Sequence, residues 1–128
     1  MRLLFLLAAG VATVGVPAMA EQPGRAEIGY SEGALGLAAI DRGDWAAAER
    51  QLTDPRFGPA DDPAKLINLG RVYVETGRLP LAIAAWQAAL RSRRQHMVEL
   101  GDGSVASTED VARAALARHR YQLASSHD

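Results

Sequence analysis

The stretch Leu66–Leu90, LINLGRVYVETGRLPLAIAAWQAAL, limits what this chain can fold into more than any other feature. Apolar and small residues recur at three- and four-residue spacing on both sides of Gly77, a pattern typical of amphipathic helices. Glycine at such a junction readily adopts the left-handed conformation that ends a helix. Pro80 fits the first turn of a second helix, because amides there have no intrahelical acceptor to lose. The stretch therefore predicts a helical hairpin.

Small side chains are concentrated on the facing sides of this predicted hairpin. Gly70 and Ala82 indicate that the two helices cross closely, since larger side chains would push them apart. Tyr73 and Trp86 supply the bulk that fills the remaining space. We therefore expect close helix–helix contact at Gly70 and Ala82.

An earlier unit of the chain follows the same plan. Gly43 lies 34 residues before Gly77 (77 − 43), and the same offset relates other residues of the two units. The related pairs are Leu35 with Leu69, Gly36 with Gly70, and Ala48 with Ala82. The second unit should begin with Asp61 or Asp62 as the helix cap and Pro63 in the first turn. The repetition predicts two consecutive helical hairpins.

The boundaries of the first unit can also be predicted. Ser31 is a suitable N-cap for its first helix, and Asp44 is a suitable N-cap for the returning helix. The returning helix should end near Leu52 or Thr53, because Pro55 disfavours a helical conformation at the residue before it. A loop must then connect the two units.

The 34-residue helix–turn–helix period is the spacing of tetratricopeptide repeats, and residues 66–90 closely resemble one such repeat. The matching residues are Leu69, Gly70, Tyr73, Gly77, Ala82, Trp86 and Ala89. The first unit departs from the pattern, with Leu52 at the aromatic position and Pro55 where the second unit has Ala89. The resemblance implies an all-α fold with two tandem helical hairpins over residues 31–94. An unrelated pair of antiparallel helices is the alternative.

The resemblance also implies a binding site, because in tetratricopeptide proteins the first helix of each hairpin lines a concave groove that holds partner peptides. Here the groove would be lined by Ala34, Leu37, Ile40 and Asp41 from the first unit, and by Asn68, Arg71, Val74 and Glu75 from the second. Asn68 and Arg71 lie three residues apart on one helical face, where an amide and a guanidinium could grip a peptide backbone or a carboxylate. A solvated polar face is the alternative. The asparagine-and-lysine clamp of chaperone-binding members is not reproduced in the first unit.

Residues 95–128 have a different character. Met97–Leu100 and Ser104–Ser107 flank Gly101-Asp102-Gly103, which indicates a β-hairpin or, alternatively, an irregular loop. An isolated hairpin is marginal and would have to pack on the helices. A last helix, capped by Ser107 or Thr108, should run to about Leu123. Because two repeats fall short of the roughly three that a stable stack needs, we expect this helix to cap the open apolar face of the second repeat.

The order of residues 1–20 is typical of a secretory signal peptide. Arg2 precedes an apolar run from Leu3 to Val16, and small residues lead up to Ala20. The apolar run is shorter than the roughly 20 residues that span a bilayer, and an uncleaved membrane anchor is the alternative. Cleavage after Ala20 would leave a flexible N-terminus over residues 21–30. It would also place the protein in the periplasm, or outside the cell, with no stable membrane span.

Cysteine content and charge narrow the possible classes of function. The chain has no cysteine, which excludes disulfides, thiolate metal sites and thiol nucleophiles. Residues 21–62 include four basic and nine acidic residues, whereas residues 63–94 include six basic and one acidic. No broad basic face results, so nucleic acid is not an expected partner. The opposite charges of the two halves could instead favour self-association.

The spacing of polar residues does not indicate catalysis. The histidines His96, His119 and His127 lack ligand partners at helical spacing. Neighbouring carboxylates stand at predicted helix starts, where capping explains them. A lone Gly101-x-Gly103-x-x-Ala106 pattern lacks the strand–helix–strand unit of a dinucleotide site. We therefore expect a non-enzymatic protein with no metal and no cofactor.

These observations favour a small exported protein that binds a protein or peptide partner, as an adaptor or assembly factor in a bacterial envelope. A self-associating structural subunit is the alternative. The docking surface is either the concave groove or the basic cluster of Arg91, Arg93, Arg94 and His96. A favourable interaction with the carbonyls at the end of the preceding helix also accounts for that cluster.

Overall fold

The computed structural model of the chain describes residues 29–125. The predicted signal peptide, most of the segment 21–30 and His127 lie outside this range. The helices are α1 (Leu37–Asp41), α2 (Trp45–Thr53), α3 (Pro63–Glu75), α4 (Leu79–Arg91) and α5 (Thr108–Ser125), with a short 3-10 turn at Pro55–Phe57. Two strands, β1 (Met97–Glu99) and β2 (Val105–Ser107), precede α5. The described residues are thus mostly helical with one small sheet, which confirms the helical fold class in its coarse form.

The two turns that separate α1 from α2 and α3 from α4 have the same backbone geometry. Gly43 and Gly77 adopt left-handed conformations, with φ of 69° and 73°. Three backbone hydrogen bonds around the first turn recur 34 residues later around the second. They are Arg42 N to Ala38 O, Gly43 N to Ile40 O and Asp44 N to Ala39 O, repeated as Thr76 N to Val72 O, Gly77 N to Val74 O and Arg78 N to Tyr73 O. Both helices therefore end in the same glycine-dependent way.

The first helix is shorter than the sequence pattern predicts. It begins at Leu37 rather than near Ser31, and residues 32–35 form turns. The reason is Gly36, whose φ of 64° is left-handed and cannot continue a right-handed helix through that position. The equivalent Gly70 lies within the helical range of α3. The two glycines therefore differ in conformation despite their matching position in the repeat.

Gly70 lies directly against the Trp86 side chain of the returning helix. A β-carbon at this position would lie 2.2 Å from Nε1 of Trp86, so the indole ring rests directly on the α3 backbone. Trp86 Nε1 donates a hydrogen bond to the carbonyl oxygen of Ile67 at 3.2 Å. In the first unit, a β-carbon at Gly36 would meet Cγ of Leu52 at 3.3 Å. In both units the glycine makes room for the large side chain of the returning helix, and in the first unit Gly36 also lies against the backbone of Ala48.

Polar caps and one buried lysine organise the connection between the units. Helix α2 ends at Thr53 as predicted, and Asp44 caps its start by accepting from Ala47 N. Asp62 caps α3 by accepting from Lys65 N at 3.1 Å. The Lys65 side chain is buried, and its Nζ donates to Gly58 O at 3.2 Å and Asp54 O at 3.5 Å. These bonds hold the loop between α2 and α3 against the helices.

The strands form the predicted hairpin, with Val98 opposite Ala106 in an antiparallel pair. A three-residue turn joins them, in which Gly103 has a φ of 82° and donates to Leu100 O. Helix α5 begins directly after β2 and packs on α4 and α3. Its Leu116 joins a buried cluster with Ala82 and Trp86. Helix α5 therefore covers an apolar face of the α3–α4 hairpin.

None of the helices within residues 29–125 combines the length and the apolar character that crossing a membrane requires.

Candidate functional site

A cleft of about 240 Å³ opens between the start of the described chain, α3 and the β-hairpin. We call it the hairpin cleft. One wall is formed by Leu35 and Leu37 together with Ala64, Ile67, Asn68 and Arg71 of α3, and the other by Val98, Glu99, Leu100 and Gly101, with Val111 of α5. Most of these residues are apolar, and Asn68, Arg71 and Glu99 are the polar or charged ones.

Asn68 holds the first wall together. Its Nδ2 donates a hydrogen bond to the carbonyl oxygen of Leu35 at 2.9 Å, and the bond links residues that are 33 positions apart. This bond fixes the irregular segment before α1 against the middle of α3. Asn68 is half-buried, so part of its amide remains at the surface of the cleft. The residue that we expected to grip a partner therefore has a structural role as well.

Arg71 lies one turn further along α3 and is exposed. Within residues 29–125 it makes no hydrogen bond and no ion pair. Arg78, by contrast, pairs with Glu49 at 2.6 Å and stacks over the Tyr73 ring at 4.7 Å. The hydrogen bond from Arg78 holds the pKa of Glu49 below its ordinary value. In the part of the chain that the structure describes, the exposed Arg71 guanidinium thus has no acidic partner, unlike that of Arg78.

Strand β1 presents its edge to the cleft. Side chains of successive strand residues point to opposite faces, yet Val98, Glu99 and Leu100 all line this one cleft. The ladder is bounded by hydrogen bonds from Thr108 N to His96 O at 2.9 Å and from Leu100 N to Ser104 O at 2.7 Å. Hydrogen-bonded and non-bonded pairs alternate in antiparallel sheets. The register therefore directs the backbone N–H and C=O of Glu99 away from β2.

Six of the eight residues predicted from the sequence to line a groove divide into two groups. Leu37, Asn68 and Arg71 line the hairpin cleft. Asp41 and Glu75 are exposed at the ends of α1 and α3, and Val74 packs against the cluster around Trp86. Ala34 and Ile40, which the resemblance also placed in the groove, are buried with 1% and 4% of their surface exposed. The structure thus brings together three of the six.

Sequence reasoning missed the second wall of the cleft. The hairpin itself was predicted from Gly101-Asp102-Gly103, but nothing in its sequence shows which helix face it covers. Its position follows from the 18-residue helix α5, which starts at the end of β2 and docks on α4. A hydrogen bond from Thr108 N to His96 O closes the base of the hairpin. Only these tertiary contacts place Val98 and Leu100 opposite α3.

A second polar cluster joins three distant parts of the chain near the cleft. The Tyr30 hydroxyl lies 3.0 Å from both carboxylate oxygens of Asp62 and 2.8 Å from Nε2 of His96. His96 Nδ1 lies 2.8 Å from the carbonyl oxygen of Arg94. Tyr30, assigned by the sequence to a flexible N-terminus, is thus tied to the start of α3 and to the residue before β1. The cluster fixes both walls of the cleft at one end.

We expect Tyr30→Phe to lower the free energy of unfolding by about 1 kcal/mol at neutral pH, because buried Asp62 loses a hydrogen-bond donor. Burial and the hydrogen bond to Asp62 raise the pKa of Tyr30 above its ordinary value. Above about pH 10 the unfolded phenol releases its proton while the folded one retains it, so stability falls as pH rises. Urea unfolding between pH 7 and 11 should show this decline in the wild type. The part of this decline that is due to Tyr30 should be absent from Tyr30→Phe. If the free energy of unfolding had the same pH dependence in both proteins, the decline could not be assigned to Tyr30.

The other candidate sites are a second cleft and the predicted basic cluster. A smaller cleft of about 160 Å³ lies between the end of α2 and α3, beside Lys65 and Leu69. Of the predicted basic cluster, Arg94 lies 3.7 Å from Asp61 and His96 belongs to the Tyr30 cluster, while Arg91 and Arg93 are exposed. Between residues 29 and 125 no group of three or more histidine or acidic residues is placed to hold a metal ion.

Comparisons with protein-family models, curated proteins and solved structures find no match to this chain.

Proposed function

We propose that this chain is an exported, non-enzymatic, tetratricopeptide-like protein that binds a protein or peptide partner, as an adaptor or assembly factor in a bacterial envelope. The observation that carries the proposal is the hairpin cleft, which combines apolar walls with Arg71, a side chain that has no ion pair among residues 29–125. Apolar surface supplies binding free energy and a few polar groups supply orientation, which is the usual composition of a binding cleft. The resemblance of residues 66–90 to a tetratricopeptide repeat supports the same class of function.

Hydrogen bonds that hold the walls in place support the cleft as a docking surface. Asn68, the Tyr30 cluster and the base of the hairpin hold both walls by hydrogen bonds between distant residues. A preformed cleft binds with a smaller loss of conformational entropy than one that must be ordered. Such a cleft suits an adaptor, which binds a partner without catalysing a reaction.

Crosslinking and pull-down from intact cells should test the proposal with two matched variants. Arg71→Glu reverses the charge in the cleft and should reduce recovery of specific partners about ten-fold, which corresponds to about 1.4 kcal/mol. Arg50→Glu makes the same charge change at an exposed position of α2, which does not line the cleft, and should leave recovery unchanged. Equal recovery by wild type and both variants would exclude the cleft as the docking surface.

The two polar residues of α3 should differ in their effect on stability. Asn68→Ala removes the bond to Leu35 O and should lower the free energy of unfolding by about 1 kcal/mol. Arg71→Ala removes no hydrogen bond and no ion pair within residues 29–125 and should change it by less than about 0.5 kcal/mol. Urea unfolding followed by circular dichroism measures both values. Equal losses would show that Asn68 does not hold the wall.

A self-associating structural subunit is the second candidate function. Leu81 on α4 and Tyr121 on α5 are large apolar side chains with 48% and 80% of their surfaces exposed. Self-association predicts that the mass measured by light scattering rises with concentration, and that Leu81→Glu or Tyr121→Glu abolishes the rise. A constant monomer mass would favour the adaptor.

A further inference from the structure

We infer that the hairpin cleft takes an extended segment of another protein, which adds to β1 as a third strand and places an acidic side chain on Arg71. The inference rests on the proposed function and states the conformation and the chemistry of the partner segment. It depends on three features of the described residues: the backbone edge of β1, the apolar floor of the cleft and the charge of Arg71.

The first feature is the edge itself. Glu99 directs its N–H and C=O away from β2, and Met97 does the same because it occupies the equivalent position in the register. Outside the sheet, neither residue takes part in any hydrogen bond within residues 29–125. A sheet edge of this kind is a template for an added strand, which gains main-chain hydrogen bonds from it. A two-stranded sheet is also marginal, and a third strand would stabilise it.

The second feature is the apolar lining of the cleft beside that edge. Facing β1 are Leu35, Ala64 and Ile67, while Val98 and Leu100 are half-buried on the inner side of the hairpin. Every second side chain of an added strand would point toward this apolar surface, because strand side chains alternate. The partner segment should therefore carry apolar residues at alternate positions.

The third feature is electrostatic. Arg71 is exposed on the α3 side of the cleft and has no acidic partner among residues 29–125. The carboxylate of Glu99 lies on the opposite face of β1 from the half-buried side chains of Val98 and Leu100, since the burial of the strand alternates. An acidic side chain in the added strand can thus pair with Arg71 in a planar, two-bond contact. Charge complementarity favours an acidic segment over a basic one.

The test begins with the full chain and a phage-displayed library of random ten-residue peptides. Selected peptides should alternate apolar and polar residues and share an acidic residue. The strongest binder is then synthesised with N-methyl groups on alternate backbone amides. Methylation of the amides that face β1 should raise Kd about ten-fold, since each removes a main-chain hydrogen bond, while methylation of the intervening amides should change Kd less than about three-fold.

Two variants of the chain test the same edge from the other side. Glu99→Pro removes an N–H that β2 does not use and should raise Kd for the selected peptide about ten-fold. Glu99→Ala keeps that N–H and serves as the matched control, with an expected change below about three-fold. Circular dichroism establishes whether Glu99→Pro is folded. If it is not, the N-methylated peptides alone test whether the partner segment adds to β1 as a strand. Arg71→Glu should reverse the charge preference of the cleft. It should bind the selected peptide less tightly than a peptide in which lysine replaces the shared acidic residue.

The outcomes separate this inference from the proposed function. Selected peptides with helical spacing, whose binding is insensitive to N-methylation, would overturn strand addition and leave the adaptor proposal standing. Failure to select any peptide, together with failure to recover a partner from cells, would overturn both. A chain that dimerises in light scattering, and that Glu99→Pro makes monomeric, would show that a second copy occupies the edge and would overturn the partner segment.

Discussion

Replacing Gly70 with alanine is expected to lower the free energy of unfolding by about 2–4 kcal/mol, through overpacking against Trp86 and loss of a hydrogen bond. The added β-carbon would lie 2.2 Å from Trp86 Nε1 and 2.6 Å from its Cε2, so the indole must move. Moving it breaks the bond from Nε1 to the carbonyl oxygen of Ile67. Helix propensity alone predicts the opposite sign, because alanine is about 1 kcal/mol more favourable than glycine inside a helix. The sign of the change therefore decides between local propensity and tertiary packing.

A double-mutant cycle with Trp86→Leu isolates this contact. Leucine is the residue that faces Gly36 at the equivalent position of the first unit, where a β-carbon would lie 3.3 Å from Leu52 Cγ. In the Trp86→Leu background the cost of Gly70→Ala should fall below about 1 kcal/mol, because the ring that opposes the new methyl group is gone. Chemical unfolding of the four proteins measures the coupling. The same cost in both backgrounds would show that the indole is not the obstacle.

Leu116→Ala should lower the free energy of unfolding by about 2–4 kcal/mol. Leu116 has only 4% of its surface exposed and packs with Ala82 and Trp86, so truncation leaves a cavity at the contact of α5 with α4. Leu81→Ala on α4 is the matched control, because the same atoms are removed from a side chain that is 48% exposed. Its cost should be less than about 1 kcal/mol.

The same pair of variants tests whether α5 caps the helical stack. If α5 covers the apolar face of the α3–α4 hairpin, Leu116→Ala should increase binding of a hydrophobic dye or raise the mass in light scattering, and Leu81→Ala should do neither. Deletion of residues 108–128 should have the larger effect of the same kind. A deletion variant that melts like the full chain as a monomer would show that α5 is not a cap.

Prediction from local sequence was most successful at the two helix–helix turns and at the β-hairpin. Gly43 and Gly77 were identified by their spacing, and their left-handed geometry with identical hydrogen bonds follows from local chemistry. Helix α2 ends at Thr53 because Pro55 disfavours a helical conformation at the residue before it. The turn of the β-hairpin forms where Gly103 can adopt a positive φ. Local rules succeed there because the residues concerned restrict their own backbone.

The same reasoning was less successful at Gly36 and Gly70. Their positions in the repeat match, and the sequence therefore predicted matching helices. Gly36 is left-handed and ends the helical continuity before α1, whereas Gly70 is helical beneath an indole ring. Glycine permits both conformations at similar cost. The structure places Leu52 opposite Gly36 and Trp86 opposite Gly70, and the repeat position alone does not distinguish the two conformations.

The candidate site was only half predictable. Leu37, Asn68 and Arg71 were selected by helical spacing and the family resemblance, and they line the hairpin cleft. The opposing wall of Val98, Glu99 and Leu100 could not be predicted, because the sequence of a β-hairpin indicates how its two strands pair but not which helix they pack against. Tyr30, Asp62 and His96 likewise meet only after folding, from positions 32 and 66 residues apart.

The amino-acid sequence by itself determined the helical class, the two glycine turns, the caps Asp44 and Asp62, and the hairpin, since each depends on the backbone preferences of a few neighbouring residues. The tertiary structure decided where α5 docks and that Gly70 lies against Trp86. It also decided that β1 lies beside Arg71 with an edge that no other strand within residues 29–125 covers. These arrangements depend on burial and shape fit between residues far apart in the chain. Such contacts form only when the elements pack, and no local spacing encodes them.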